Sequence, residues 1–479
     1  MTERARTVWA FAITSVALFM VALDNLVVTT ALPVIKRDLG ASLSGLEWTV
    51  NAYTLTYAVL LLTGAALGDR FGRKRMFAIG LAVFTAGSAA AALAPSIGAL
   101  IVARAAQGVG GAIVTPLTLT ILSAAVSPER RGLALGAWGG VGGLAIAIGP
   151  LVGGAVVDGI SWNWIFWLNV PIGLVVLPLA LARLTETTGT NRSLDLPGLG
   201  LASAGLFGIV FGLVRANEHG WGSLGVAGPL ALGGVLLASF VAWEVRSRAP
   251  MVPMRFFRNR EFSAANVTSL LMYFGMFGSI FLLAQFFQVV QGYSPLQAGL
   301  RTLPWTGMPI LIAPLAGALS DRIGSRPLLV SGMALMSGAL AWLAAISSPA
   351  VPYGHLVAPF VMAGVGMSLF FAPTANVVLS AVRREEEGKA SGVNNTIREV
   401  GGVFGVAVLA TVFSAVGSYA SPTAFVHGLT SAVWVGAALV GLGVVSALAI
   451  PGRRALVLRR EASAAETRGE PQREAVEVG

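Results

Sequence analysis

The chain has 479 residues, 55% of them hydrophobic and only 11% charged, and its mean hydropathy is +0.78. A soluble domain cannot bury that much apolar surface, which leaves an integral membrane protein. The net charge of +10 sits in loops between apolar runs, where topology accounts for it, so no nucleic-acid partner is expected, and the absence of Cys excludes disulfides, thiolate metal sites and thiol catalysis.

In chain order, the first apolar run follows MTERARTVW and reaches about Ile35. It exceeds the roughly 7–15 residues of a signal-peptide core, so it is read as a retained span. Runs able to cross about 30 Å of hydrocarbon number fourteen: 8–35, 48–67, 76–95, 98–122, 133–157, 162–183, 197–215, 224–244, 263–289, 297–319, 327–347, 353–379, 392–416 and 424–450. The seventh is the weakest, being short and Gly-rich. If the N-terminus is cytoplasmic, all Lys and Arg except Lys36, Arg37, Arg104, Arg215, Arg301 and Arg398 fall in cytoplasmic segments. That asymmetry is expected of an even number of spans with both termini inside.

The first span carries Asp24, and the fourth carries Arg104 with Gln107 one turn on, at overlapping depths. Ionisable groups at such depth are costly and are functional candidates. Two readings stand for Asp24 and Arg104: a proton and cation site, or a static ion pair holding helices together. In the second span Tyr53 and Tyr57 share a face. After it comes GDRFGRKRM at 68–76, where Gly72 permits a tight turn and the basic residues anchor the inner face. In the fifth span Gly143, Gly149, Gly153 and Gly154 cluster around Pro150, small residues that let helices approach closely beside a bend.

Aromatic residues recur through the ninth span. With few polar groups beside them they suit lipophilic and cationic ligands, and equally suit contact with lipid or a neighbouring helix. Tyr53, Tyr57, Phe281 and Gln285 are the cavity candidates. At 320–327, SDRIGSRP repeats the earlier loop, with Asp321, Arg322 and Gly324 matching Asp69, Arg70 and Gly72. Each loop follows the second span of its group of six, the mark of a transporter built from two related halves. In the thirteenth span Arg398 and Glu399 diverge by about 100° and cannot simply pair. Glu399 is either a protonatable group or an inner-rim charge snorkelling to water, and Arg301 and Glu244 are read as rim residues. No phosphate-binding Gly-rich loop or His cluster occurs.

Four stretches, LDNLVVTTALP at 23–33, GDRFGRKR at 68–75, RAAQGVGGA at 104–112 and GGLAIAIGPLVGG at 142–154, resemble the major facilitator superfamily, and within it the fourteen-span drug:proton antiporters. SPLQAGLRTLP at 294–304 is similar to the start of that family's tenth span, and the resemblance covers about residues 8–450. Leu26, Thr29 and Ala65 depart from residues usual in the family.

The resemblance implies an all-α membrane fold with two six-helix bundles, 1–184 and 262–450, joined by two extra transmembrane helices and a linker at 185–261, and a disordered cytoplasmic tail at 451–479. It implies proton-coupled multidrug efflux by alternating access. Asp69 and Arg73, with Arg70, Gly72 and the echo residues, would latch the inner side, and the Gly-Pro motif of the fifth span would serve as the antiporter hinge. Asp24, Arg104 and Gln107, with Glu399 and Arg398 second, are the candidates for proton coupling and substrate binding. The expected partners are lipophilic or cationic small molecules, protons and the bilayer. A monomer in the bacterial plasma membrane is expected, without enzymatic activity, metal or cofactor and with the proton gradient as energy source. Export of one endogenous compound remains the alternative; a non-transport membrane protein is a weaker one.

Overall fold

The computed structural model describes residues 3–126, 128–188, 195–383 and 386–452. Every regular element among them is helical. Helices α1 (Glu3–Leu39), α2 (Leu43–Phe71), α3 (Arg73–Ala92), α4 (Ile97–Ala125), α5 (Pro128–Gly159), α6 (Trp164–Trp167) and α7 (Asn169–Arg183) come first. Then follow α8 (Leu196–His219), α9 (Leu224–Arg246), α10 (Arg260–Gln285), α11 (Pro295–Thr306), α12 (Met308–Ile323), α13 (Ser325–Ile346), α14 (Tyr353–Ser380), α15 (Glu387–Val416) and α16 (Pro422–Leu448).

These account for the fourteen runs, with local departures. The sixth is the short α6 running into α7, and the tenth breaks at Gly307 between α11 and α12, where Pro304 and the second residue of α12, Pro309, remove backbone donors. The ninth continues from α10 into a π-helical turn, Phe286–Val290. The weakly read seventh becomes a 24-residue helix, α8, whose first turn is capped by the Asp195 side chain accepting from Gly198 N at 2.8 Å. Thirteen segments of the described residues are long and apolar enough to span a bilayer, and α5 is a further 32-residue helix.

The repeat seen in the sequence is also a repeat of backbone geometry. Gly72 has φ of 103° between α2 and α3, and Gly324 has φ of 89° between α12 and α13. A side chain is strained at either position, which explains Gly in both copies. Gly72 is constrained twice, since a Cβ there would also lie 2.8 Å from the Glu186 carboxylate.

In the first half α2 packs on α4, α4 on α3, and α1 on α5; in the second α10 packs on α15 and α16, and α13 on α14 and α16. The halves meet where α5 crosses α11 and where α2 meets α15, while α8 lies against both α2 and α15 with α9 outside it. The α5–α11 crossing is close enough that a Cβ at Gly154 would collide with Pro295 O, and one at Gly299 with Pro150 O. Near the same end Gln288 Nε2 donates to Thr30 O at 2.8 Å and Ser294 Oγ to Asp158 Oδ2 at 2.8 Å. The Lys36 ammonium of α1 sits 2.9 Å from the Tyr419 ring centroid. The end away from the basic loops is therefore sealed, and the basic end holds a vestibule of about 440 Å³.

The tail from 453 onward lies outside the described residues, as do the surroundings of Gly143 and the side chain of Asp321.

Candidate functional site

Asp24, Arg104 and Gln107 come together as their depths predict. Arg104 of α4 donates through Nη1 to Asp24 Oδ2 of α1, and also to Gln107 Oε1 at 2.9 Å. Both side chains of the ion pair are 1% exposed. Asp24 Oδ1 accepts from Asn169 Nδ2 of α7 at 2.8 Å and Gln107 Nε2 at 3.2 Å, and Gln107 Nε2 also donates to Ser88 Oγ of α3 at 2.7 Å. Arg104 Nε reaches Thr49 O of α2 at 3.2 Å. Five helices besides α5 are thus tied at one point, and both carboxylate oxygens have donors. Sequence reasoning missed Ser88, Thr49 and Asn169. The signal for two of them is a polar side chain isolated in an apolar run, Ser88 in the third and Asn169 in the sixth.

This cluster does not open onto the central cavity. Tyr53 stands between them: the Arg104 guanidinium lies 4.3 Å from its ring centroid, its hydroxyl donates to Val21 O at 3.3 Å, and it lines the cavity. The residue next to Asp24 does face the cavity. Asn25, about 100° further round α1, lines it with an Oδ1 that is buried and without a partner.

The cavity, about 100 Å³, lies between the two halves. Tyr53 and Tyr57 of α2 stack with centroids 5.9 Å apart on one side, and Tyr273 and Phe277 of α10 stack at 5.6 Å on the other. Met276 and Ile280 of α10 and Met367 of α14 extend the apolar lining. Glu399 of α15 is the one acidic residue lining it among the described residues, and its Oε2 has no hydrogen-bond partner. Arg398 turns elsewhere. Its guanidinium lies 4.7, 5.8 and 5.4 Å from the ring centroids of Tyr273, Phe370 and Phe371, and its Nη1 donates to Asn395 Oδ1 at 3.3 Å.

Two cavity candidates fall away. Phe281 is 1% exposed within the main hydrophobic core, and Gln285 is fully buried, donating to Phe281 O at 2.9 Å and accepting from the Tyr419 hydroxyl. The reason is helical phase. With about 100° per residue, Tyr273, Met276, Phe277 and Ile280 form one stripe of α10, and Phe281 and Gln285 lie about 90° and 130° from its centre.

At the basic end, Arg73 donates to Asp69 Oδ1 through Nε at 2.9 Å and Nη2 at 2.8 Å. Both residues line the vestibule, while Arg70 and Arg322 are exposed. The first turn of α3 is capped from a distance by Glu186, which accepts from the backbone N–H of Lys74 at 2.9 Å and of Arg75 at 3.1 Å, a contact that loop spacing could not reveal. In α5, Gly149 and Gly153 face α1, where Cβ atoms would meet Leu26 at 2.8 Å and collide with Thr30 Oγ1, and Gly154 faces α11. Pro150 lies between these two packed faces.

Comparison with known proteins places this architecture. Residues 14–406 match the family profile described as Major Facilitator Superfamily. The tetracenomycin C resistance and export protein of Streptomyces glaucescens is 37% identical over 84% of this chain and 74% of its own length. The multidrug resistance protein Stp of Mycobacterium tuberculosis is 35% identical over 84% and 75%. The crystal structure of a POT family transporter in complex with a thioalcohol-conjugated peptide superposes with a TM-score of 0.68 at 14% identity, covering 94% of this chain and 96% of that one, a likeness of fold.

Proposed function

This chain belongs to the major facilitator superfamily, and from that membership and its cavity we propose that it exports lipophilic cations in exchange for protons. Its relatives include antibiotic and multidrug export and resistance proteins, and it is a multi-pass membrane protein. We place it in a bacterial plasma membrane with both termini cytoplasmic, because its basic loops share one end. It works there as a monomer, drawing on the proton gradient without a cofactor.

One observation carries the reading: among the described residues a single carboxylate, Glu399, lines the aromatic cavity, and its Oε2 has no hydrogen-bond partner. A cation entering from the basic end gains the Glu399 charge and the faces of Tyr57 and Tyr273. When the opposite end opens, a proton neutralises Glu399 and the cation leaves. Asp24, paired and enclosed, braces the first bundle, and the geometry favours Glu399 over it as the coupling group. The Asp69–Arg73 pair and the α5–α11 contact act at opposite ends, one lining the open vestibule and the other holding the far side shut.

The test is proton movement from energised inside-out vesicles on adding ethidium. Wild type is expected to release protons from the lumen with cation entry, and Glu399→Gln is expected to lose that response while remaining inserted. Retained cation-dependent proton movement in Glu399→Gln would reject the assignment. A second reading, export of one endogenous compound, is favoured by the relative named for tetracenomycin C export. Proton movement with one compound alone, out of a panel of unrelated cations and neutral aromatics, would select it.

A further inference from the structure

Away from the central cavity, two acids of the inserted helices α8 and α9 meet at the vestibule. Glu244, read from the sequence as a rim residue, is 2% exposed. Its Oε2 accepts from Val252 N at 3.1 Å. Asp195, at the head of α8, accepts through Oδ1 from Gly198 N at 2.8 Å and Trp243 Nε1 at 2.7 Å. Each carboxylate thus has one oxygen with donors. The other oxygen of each, Glu244 Oε1 and Asp195 Oδ2, is buried with no hydrogen-bond partner.

The two bare oxygens face the same point. A Cβ on Gly198 would lie 2.8 Å from Asp195 Oδ2 and 2.8 Å from Glu244 Oε1, so the oxygens are no more than twice that distance apart. The absent side chain of Gly198 leaves the space in which they approach. Two ionised carboxylates in such a position repel, and the oxygens that face each other have no donor to offset it; a proton held between them removes the repulsion and gives each bare oxygen a partner.

We propose that Asp195 and Glu244 share a proton, forming a second protonation site in the inserted helices, separate from the central cavity. Asp195 lines the vestibule and connects the site to solvent at the basic end. Lys389 of α15 lines the same vestibule as Asp195. Arg255, on the turn Met254–Arg258 that packs against α9, is engaged by Glu386, and Arg246 donates to Ala242 O at 3.1 Å. Because Lys389 belongs to the second half, its movement relative to α8 and α9 ties the proton to the state of the vestibule.

Infrared difference spectra of the full chain in lipid, recorded across pH with and without deuterium exchange, test this. The expected result is a carboxylic-acid carbonyl band that disappears in Glu244→Gln and equally in Asp195→Asn, while Glu399→Gln keeps it. Asn retains a side-chain oxygen that can cap α8, so the second variant guards against a folding failure in the first. A band that survives in either single variant, or a wild-type band lost only in Glu399→Gln, would overturn the shared proton. Carbodiimide, which reacts with protonated carboxyls, is expected to modify Asp195 or Glu244 in wild type; peptide mass spectra showing neither modified at any pH would count equally against it. Both readouts are independent of transport, so failure of the cavity assignment leaves this inference standing, and the reverse.

Discussion

Each half of the molecule carries adjacent polar residues on a helix beside the cavity, and the halves use them oppositely. In α1 the charged residue, Asp24, turns into its own bundle and meets Arg104, Gln107 and Asn169, while the neutral Asn25 faces the cavity. In α15 Arg398 turns among aromatic rings and the carboxylate of Glu399 faces the cavity. A carboxylate with both oxygens engaged by donors holds helices together. One with an open oxygen in an apolar cavity is available to exchange a proton for a cation.

The strongest way to break this comparison is to neutralise its first member. Asp24→Asn leaves Arg104 buried without its counter-charge, a loss of about 3–5 kcal/mol in stability. Thermal unfolding in detergent is expected to show a large drop, with coupling to protons surviving in the fraction that remains folded. If Asp24→Asn were as stable as wild type but uncoupled, the roles of the two acids would be reversed.

Next in size is the far seal. Gly154→Val puts a side chain into Pro295 O and should force α5 and α11 apart, shifting the chain toward opening at that end. Because the chain has no Cys, a single introduced thiol near Gln288 reports this without background. Its labelling from the non-basic side should rise several-fold; unchanged labelling would show that the crossing does not hold the seal.

Smaller effects sharpen the cavity itself. Tyr57→Ala and Tyr273→Ala are each expected to weaken binding of an aromatic cation by about 0.5–2 kcal/mol, read by fluorescence titration. Phe281→Leu should leave that affinity within error, because its ring lies in the main hydrophobic core and not in the cavity lining. A loss for Phe281→Leu equal to that for Tyr273→Ala would contradict the helical phase of α10.

Much of this was legible in the sequence, for identifiable reasons. Run lengths and charge asymmetry located the helices, and the repeated Asp-Arg-x-Gly order located two turns with positive φ. The meeting of Asp24 with Arg104 followed from matching depths, because a buried charge needs a partner. What escaped depends on rotation about a helix axis and on contacts distant in the chain. Tyr53 screens the ion pair from the cavity, Glu186 caps α3 from beyond α7, and Gln285 points to Tyr419 instead of the ligand space. Glu244 escaped for a related reason, since its place near the end of α9 fits a rim residue until the chain folding back at Val252 buries it.

The most direct measurement is equilibrium binding of ethidium to the purified chain as a function of pH, in wild type, Asp24→Asn and Glu399→Gln. If proton and cation compete for Glu399, wild-type affinity falls as pH is lowered, Asp24→Asn keeps that dependence in its folded fraction, and Glu399→Gln binds weakly at every pH. A pH dependence that persists in Glu399→Gln and vanishes in folded Asp24→Asn would contradict the division of labour between the two acids.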